Sequence, residues 1–277
     1  MIQPDDQTSA LERSDVTERV DGDGTDGKSA SGPSGEGTEG TSSERLTRRS
    51  IRSFVIRNGR LTAAQGDALE RLLPRHGLPF AETPLEPELV FGRRAPLWLE
   101  IGFGNGDALL EMASARPDVD FLGCEVHAPG VGHALIGIEA RGLENVRVIQ
   151  HDAMEVLERM LAPAALERVL LFFPDPWHKK RHHKRRIVQR DFLDAVARAL
   201  APGGLLHCAT DWADYATWML EHLEGDPRFA NRAGPGQVSS RPEWRTLTRF
   251  ERRGERLGHE VADLIYTRLE DSAPEGG

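Results

Sequence analysis

The sequence predicts a doubly wound α/β fold, in which a mostly parallel sheet carries helices on both faces. After Pro96, short apolar runs of strand length alternate with longer segments of helical periodicity. The first apolar run, residues 97–101, leads into a glycine-rich turn, and a helical segment follows at Asp107. Strands that alternate with helices need crossover connections, and such connections give a parallel sheet.

Composition divides the 277-residue chain into four segments. Residues 1–44 contain eleven acidic and three basic residues and are expected to form a disordered acidic leader. Residues 45–90 are a basic and helical extension, residues 91–270 form the α/β domain, and residues 271–277 are a disordered tail. Because the leader carries most of the net charge of -9, the folded part is nearly neutral and an RNA or DNA partner is not excluded.

The extension interleaves arginines such as Arg52 with apolar residues such as Phe54. This pattern fits either a flap that packs by its apolar residues or a segment that contacts phosphates. Thr62 is a typical N-cap and predicts a helix to about Leu73, which Pro74 is expected to end.

The α/β domain is predicted to contain six strands and five helices. The strands are residues 97–101, 120–125, 145–149, 168–173, 205–209 and 261–269. The helices are residues 107–115, about 130–141 with Gly142 as the stop, 153–161, 187–200 with Pro202-Gly203-Gly204 as the stop, and about 212–223. Residues 231–260 are polar and arginine-rich, and we expect them to contribute to a functional surface.

Cys124 and Cys208 each lie in an apolar run, so we expect buried, reduced thiols and no disulfide framework or cysteine-based zinc site. No apolar stretch approaches the length of a membrane span, and no signal-type apolar core occurs near the amino terminus. These features favour a cytoplasmic protein with no membrane partner.

The glycine-rich turn predicts a cofactor site. Gly102 and Gly104 permit positive φ and close approach of a ligand to the backbone, and Gly106 lets the next helix pack tightly. Glu100 precedes the first glycine. A carboxylate there would repel the pyrophosphate of a dinucleotide but could pair with the ammonium of an amino-acid moiety. The turn therefore favours S-adenosylmethionine over NAD.

Three further acids follow the next strands. Glu125 is placed to accept hydrogen bonds from both ribose hydroxyls of such a cofactor. Asp152 could accept from the exocyclic amine of its base, or could instead cap the following helix. Asp175 follows the fourth strand. Because the carboxyl ends of parallel strands share one edge of the sheet, we expect all four acids to converge on one crevice.

Asp175 lies between two prolines and is followed by Trp177, which could stack on a base or pack beneath the loop. Six Lys and Arg residues then occur within nine positions. Such a run beside a reaction centre favours contact with nucleic-acid phosphates over an ordinary solvated face. The expected RNA contacts are Arg181, His182, His183, Lys184, Arg185 and Arg186. The same cations disfavour a metal site at the histidines.

The sequence resembles the bacterial tRNA (guanine-N7-)-methyltransferase family over about residues 45–270. The most specific match is the string Pro174-Asp175-Pro176-Trp177-His178-Lys179. The other matching strings are residues 51–55, 100–104, 125–127, 151–153, 210–211, 248–251 and 253–259. At Arg249, where the family commonly has lysine, the charge is kept but the hydrogen-bond geometry is not.

The resemblance implies the seven-stranded Rossmann-like sheet of a class I methyltransferase and S-adenosylmethionine as the cofactor. It implies tRNA as the partner, N7 of guanine 46 in the variable loop as the acceptor, and Asp175 as the catalytic residue. Asp175 would also join Glu100, Glu125 and Asp152 as a cofactor ligand. The implied substrate-binding residues are Lys179, Asp211, Thr248, Arg249, Phe250 and Glu251.

Other functions remain open at this point. Asp211 could simply cap the next helix, and Asp175 could only order its loop. The chain could methylate another RNA or a small molecule, could be an NAD enzyme, or could be an inactive RNA-binding module. The intact set of four acids argues against the inactive module. No metal is expected, and both a monomer and a homodimer are compatible with the sequence.

Overall fold

Seven strands form a single sheet in the order β3-β2-β1-β4-β5-β7-β6. The computed structural model describes residues 52–55, 59–246 and 260–270. The strands are β1 (Leu97–Ile101), β2 (Asp120–Cys124), β3 (Val146–Ile149), β4 (Leu166–Phe172), β5 (Leu200–Thr210), β6 (Phe229–Asn231) and β7 (Ala262–Arg268). The strands β1 to β5 pair in parallel, and β7 is antiparallel to both of its neighbours. The predicted doubly wound, mostly parallel sheet is confirmed.

Helices cover both faces of this sheet. They are α1 (Ala63–His76), α2 (Pro87–Phe91), α3 (Asp107–Ala115), α4 (Ala128–Arg141), α5 (Ala153–Glu155), α6 (Arg190–Ala199) and α7 (Ala213–Glu224). One apolar cluster joins α1, α3 and α4 to the sheet, and the other joins α6 and α7 to its opposite face. Since both faces are covered, every residue of β1 and β2 is buried, as expected for parallel strands.

The strand order reverses between β1 and β4, which are neighbours in the sheet although two strands separate them in the chain. At such a point the connections leave in opposite directions and open a crevice at the carboxyl ends of the strands. This crevice positions the candidate site.

Two predicted boundaries are wrong. Pro74 lies inside α1, which continues to His76. The helix predicted for residues 187–200 is α6, residues 190–199, and Pro202-Gly203-Gly204 belongs to β5 rather than to a loop. The register of β4 with β5 shifts there, from Leu166 opposite Leu200 to Arg168 opposite Leu205. The proline and glycines are thus part of an irregularity in the strand.

Three elements were not predicted. They are α2, the short strand β6, and a 3₁₀ helix (Lys180–Arg185) within the basic run. The helix predicted for residues 153–161 is present as α5 and a π-helical turn (Val156–Met160) that continues it. The predicted leader and tail, together with residues 45–51 and 56–58 of the extension, lie outside the described residues.

Cys124 and Cys208 are buried and unpaired, as predicted. Within the part of the chain that the structure describes, no helix has the length and apolar character needed to cross a bilayer. Residues 52–55, 59–246 and 260–270 contain no group of three or more His, Cys, Asp or Glu side chains arranged to hold a metal ion.

Candidate active site

A cavity of about 210 Å³ opens at the strand ends beside the point of reversal. Its wall includes Gly102, Glu125, Asp152 and Asp175, which follow β1, β2, β3 and β4. The structure therefore brings three of the four predicted acids to one cavity. Glu100 is buried within β1 and does not line it.

The glycine-rich turn has the geometry that the sequence predicts. Gly102, Gly104 and Gly106 have φ values of 69°, 58° and 82°, in the left-handed region that favours glycine. A β-carbon on Gly106 would lie 2.9 Å from that of Ala134, so this glycine lets α3 and α4 pack closely. A β-carbon on Gly102 or Gly104 would meet no atom of the described residues within 4 Å, which leaves their backbone accessible to a ligand.

Glu125 holds the turn against the end of β2. Its Oε2 accepts a hydrogen bond from the Gly104 N–H at 2.9 Å. Its Oε1 accepts from the Val126 and His127 N–H groups at 2.7 and 2.9 Å. A carboxylate has about four acceptor sites, so about one remains. Glu125 therefore has capacity for one ribose hydroxyl rather than the two that the sequence predicts.

Glu100 has an unsatisfied acceptor. The residue is 3% exposed, and its Oε2 has no hydrogen-bond partner among the described residues. Burial, together with the nearby Glu125 carboxylate, raises the pKa of Glu100 to about 8. A buried oxygen without a donor is unfavourable. An ammonium group, such as that of an amino-acid moiety, would supply both the donor and the compensating charge.

Asp152 caps α5. Its side chain accepts a hydrogen bond at 3.0 Å from the N–H of Met154, so the capping alternative is confirmed. The second carboxylate oxygen has no part in this bond, and the residue still lines the cavity. Capping fixes the position of Asp152 and is compatible with a ligand contact.

The residues therefore fit the predicted cofactor. The open glycine turn, the orphaned oxygen of Glu100, and the lining carboxylates of Glu125 and Asp152 suit a ligand with an ammonium group, a ribose and an amino-substituted base.

The loop that follows β4, residues 173–178, is held in an uncommon conformation. Phe173 and Trp177 have positive φ values, 51° and 47°, which bulky side chains rarely adopt. They bracket Pro174, Asp175 and Pro176. Strain of this kind persists only where the surroundings enforce it, and it is concentrated at functional sites.

Asp175 is exposed at the mouth of the cavity. Among the described residues it makes no hydrogen bond or ion pair. The alternative that Asp175 merely orders its loop is thus without support in this part of the chain, and the carboxylate is available to a ligand.

Trp177 is fixed by its neighbours. Its indole N–H donates to the Ser53 carbonyl at 3.0 Å, and the Arg185 guanidinium lies 4.3 Å from its ring centroid. Arg185 also donates to the carbonyls of Arg52 and Phe54. These contacts join the described part of the extension to the loop, and they favour packing over base stacking as the role of Trp177.

The extension supplies two cavity residues that the sequence did not identify as site residues, Ser53 and Phe54. The only sequence pattern that pointed to them was the apolar Phe54 among arginines. Phe54 packs in the wall, as the flap alternative predicts, whereas Arg52 is exposed.

One predicted RNA contact is wrong. Arg186 is only 1% exposed, so its guanidinium cannot reach a phosphate. It donates to the Pro176 carbonyl at 2.9 Å and pairs with Asp214 on α7. It also lies over the rings of Tyr215 and Trp218, at 4.9 and 5.1 Å. Arg186 joins the loop to α7 and has a structural role.

The other members of the basic run differ in exposure. Lys179, Lys180, Arg181 and Lys184 are exposed, whereas His182, His183 and Arg185 are half-buried. Partial burial, followed by the charges of Arg181 and Arg185, lowers the pKa of His182. The exposed cations are therefore the ones positioned to meet a polyanion.

Asp211 is exposed and does not cap a helix, because α7 begins after Trp212 without a side-chain cap. The capping alternative for Asp211 is wrong. Thr248, Arg249, Phe250 and Glu251 lie outside the described residues.

A family model and curated relatives match most of the chain. The family model described as "Putative methyltransferase" matches residues 94–264. The chain is 58% identical over 220 residues to a tRNA (guanine-N(7)-)-methyltransferase of Methylococcus capsulatus, covering 79% of this chain and 95% of that protein. A protein of the same name from Alcanivorax borkumensis is 56% identical over 218 residues, covering 79% and 91%. Among solved structures, a 16S rRNA (adenine(1408)-N(1))-methyltransferase from Catenulisporales acidiphilia matches with a TM-score of 0.47 and 15% identity, covering 69% and 96%.

Proposed function

The chain belongs to the tRNA (guanine-N(7)-)-methyltransferase family, and from this membership and the site geometry we propose that it transfers a methyl group from S-adenosylmethionine to N7 of a guanine in tRNA. The acceptor is guanine 46 in the variable loop, as the resemblance implies. The observation that carries the proposal is a carboxylate, Asp175, that has no partner among the described residues and lies at the mouth of a cavity whose other acids suit the cofactor.

Glu100, Glu125 and Asp152 are the proposed cofactor ligands, together with the backbone of the turn at Gly102, Gly104 and Gly106. Glu100 receives the ammonium group, since its buried Oε2 has no hydrogen-bond partner among the described residues. Glu125 accepts from one ribose hydroxyl, and Asp152 accepts from the amine of the base. When bound, S-adenosylmethionine supplies a methyl group activated by a sulfonium leaving group.

The chain needs no general base before the transfer, because N7 of guanine has a lone pair and carries no proton. Its task is to align the acceptor nitrogen with the methyl group and to stabilise the positive charge that develops on the purine. Asp175 does both. As a carboxylate it accepts hydrogen bonds from N1–H and N2–H₂ of the guanine, and it offsets the charge of the ring as the nitrogen is alkylated.

Lys179, Lys180, Arg181 and Lys184 bind phosphates of the tRNA. They are exposed and belong to the segment that follows Asp175, so a polynucleotide bound to them passes the mouth of the cavity. Contacts of this kind give affinity that falls with salt and carry little base information. Asp211, Thr248, Arg249, Phe250 and Glu251 are further substrate-binding residues on the strength of the resemblance.

The test is to map the product and to separate chemistry from cofactor binding. Purified protein is incubated with tRNA and S-adenosylmethionine, and N7-methylguanosine is located by borohydride and aniline cleavage, with the break expected at position 46. Asp175→Ala should lower the rate by at least about 100-fold while calorimetry shows that cofactor binding largely survives. Asp191→Ala is the matched control, because Asp191 is an exposed aspartate on α6.

Equal loss of methyl transfer and of cofactor affinity in Asp175→Ala would reassign Asp175 to cofactor binding alone. Absence of cleavage at any guanine, with methyl transfer to another RNA or to a small molecule, would favour the alternative substrates.

A further inference from the structure

We propose that a buried polar chain formed by Trp244, His207, Asp263 and Arg245 positions the Asp175 loop for the transfer to tRNA. This inference rests on the proposed function, and it assigns the four residues a role in positioning rather than in contact with substrate. They lie on β5, on β7 and on the segment that precedes residue 246.

The four side chains are joined by hydrogen bonds. Asp263 accepts from Arg245, with its Oδ1 2.6 Å from Nε and its Oδ2 2.7 Å from Nη2. The same Oδ1 lies 2.7 Å from Nε2 of His207. The indole N–H of Trp244 donates to Nδ1 of His207 at 3.3 Å. His207, Asp263 and Arg245 are all buried.

These hydrogen bonds define the protonation state of His207 within the polar chain. An indole N–H can only donate, so Nδ1 of His207 is an acceptor and carries no proton. The proton is therefore on Nε2, which donates to Asp263, and the imidazole is neutral. Burial lowers the pKa of His207, in agreement with this state. The carboxylate and the guanidinium balance each other, so the group has no net charge.

The polar chain contacts the two residues that precede Pro174. The His207 ring meets that of Phe172 edge-on, with centroids 4.9 Å apart. The Arg245 guanidinium lies 6.0 Å from the centroid of Phe173, the residue with φ of 51°. The Phe173 N–H donates to the Ala209 carbonyl at 2.8 Å, on the same strand as His207. Both phenylalanines line the cavity.

The residues of the polar chain also hold the segment 239–245, which leads towards the predicted substrate residues. Ser239 N–H donates to the Asp263 carbonyl at 2.7 Å, and Arg245 comes three residues before Thr248 in the sequence. Trp244 is held from its other side by Arg168, whose guanidinium lies 4.3 Å from its centroid. One polar group thus anchors two segments that the proposed reaction uses.

A role in stability alone does not account for this arrangement. Apolar residues of similar volume commonly match or exceed a buried ion pair in stability, because the charges lose their hydration. What the polar chain adds is a fixed orientation of its side chains. It fixes ring and guanidinium orientations beneath Phe172 and Phe173, and a small misplacement at a reaction centre costs about 100-fold in rate.

The experiment compares two buried aspartates. Asp263→Asn removes the charge from the polar chain. Asp120→Asn removes it from a second buried pair, in which Asp120 accepts from Arg93 at 2.6 Å at the start of β2, the end of the strand remote from the cavity. Methyl transfer to tRNA, affinity for S-adenosylmethionine and hydrogen exchange of the peptide covering residues 172–179 are measured at a temperature at which both variants are folded.

We expect Asp263→Asn to lower kcat/KM for tRNA by about 10- to 100-fold, to leave cofactor affinity within about twofold, and to speed exchange in the 172–179 peptide. Asp120→Asn should lower the melting temperature without these changes. His207→Gln, which keeps a donor near Asp263, should retain more activity than His207→Leu.

The inference is wrong if Asp263→Asn has the kcat/KM and the exchange rate of Asp120→Asn, or if cofactor affinity falls by the same factor as kcat/KM. If the wild-type protein does not methylate tRNA, the proposed function fails, and the exchange rates alone then decide the positioning role. If Asp263→Asn does not fold, the comparison of His207→Gln with His207→Leu decides it by the same measurements.

Discussion

Replacing Glu100 by glutamine should change how the stability of the protein depends on pH. The carboxyl group is buried beside Glu125, and its pKa is raised from 4.5 to about 8. Because the folded state binds this proton more tightly than the unfolded state, the contribution of Glu100 to stability is fully present below pH 4.5. It is lost as pH rises through 8.

The size of the effect follows from the shift. A rise from 4.5 to about 8, at about 1.4 kcal/mol for each pH unit, corresponds to about 5 kcal/mol between the two limits. The group is fully buried, so solvent screening does not reduce this figure appreciably. Glutamine has no proton to lose, so the variant should lack this dependence and gain stability relative to the wild type as pH increases.

The assay is urea unfolding of both proteins at pH values from 5 to 9 without cofactor. Glu139→Gln is the control, because Glu139 forms an exposed pair with Arg71 and its pKa is lowered by that pair. The difference between wild type and the control should be constant above pH 6. A difference between wild type and Glu100→Gln that does not change with pH would refute the argument, since it would mean that Glu100 is already ionised in the folded protein.

Three further predictions test other parts of the structure. Gly130→Ala should lower the free energy of unfolding by about 1–3 kcal/mol, because its β-carbon would overlap the Gly104 carbonyl of the glycine-rich turn. Gly66→Ala in α1, where a β-carbon meets no described atom, should raise the free energy of unfolding by about 0.5 kcal/mol. Urea unfolding measures both. Arg186→Ala should lower the free energy of unfolding by about 3 kcal/mol. Lys184→Ala should leave stability unchanged but weaken tRNA binding, and in filter binding it should reduce the slope of log affinity against log salt by about 1. Removal of residues 1–44 should leave kcat/KM within about twofold, and a large drop would show that the leader takes part in the reaction.

Most of the sheet could be predicted because its signals are local. The apolar runs of β1 to β5 and the helix stop at Gly142, which has φ of 61°, are visible within a few residues. The local signals fail in two places. Pro74 did not end α1, which runs two residues further to His76, and the strand β6 has only three residues, which pair with β7.

The acids of the candidate site could be placed for the same reason, since Glu125, Asp152 and Asp175 each follow a strand and Glu100 lies near the end of one. What the sequence could not supply is the number of partners each side chain already has. Glu125 already accepts three hydrogen bonds from backbone N–H groups, and Asp152 accepts one as the cap of α5. Ser53 and Phe54 reach the cavity through contacts across more than a hundred residues of chain, for which no local pattern exists.

The basic run shows why counting charges overestimates an RNA surface. In a 3₁₀ helix, side chains at positions i and i+3 lie on the same side. This period sorts the run Lys180–Arg185, with its cap Arg186, into three faces.

Arg181 and Lys184 form one face and are exposed. On the second, His182 and Arg185 both lie against Trp177, at 5.9 and 4.3 Å between centres. On the third, His183 and Arg186 both lie against Trp218, at 5.7 and 5.1 Å, whereas Lys180 at the start of the run is exposed. Two faces of the helix are thus occupied in holding the Asp175 loop between the extension and α7. Arg181 and Lys184, together with the exposed Lys179 and Lys180, rather than Arg185 and Arg186, should therefore set the salt dependence of tRNA binding.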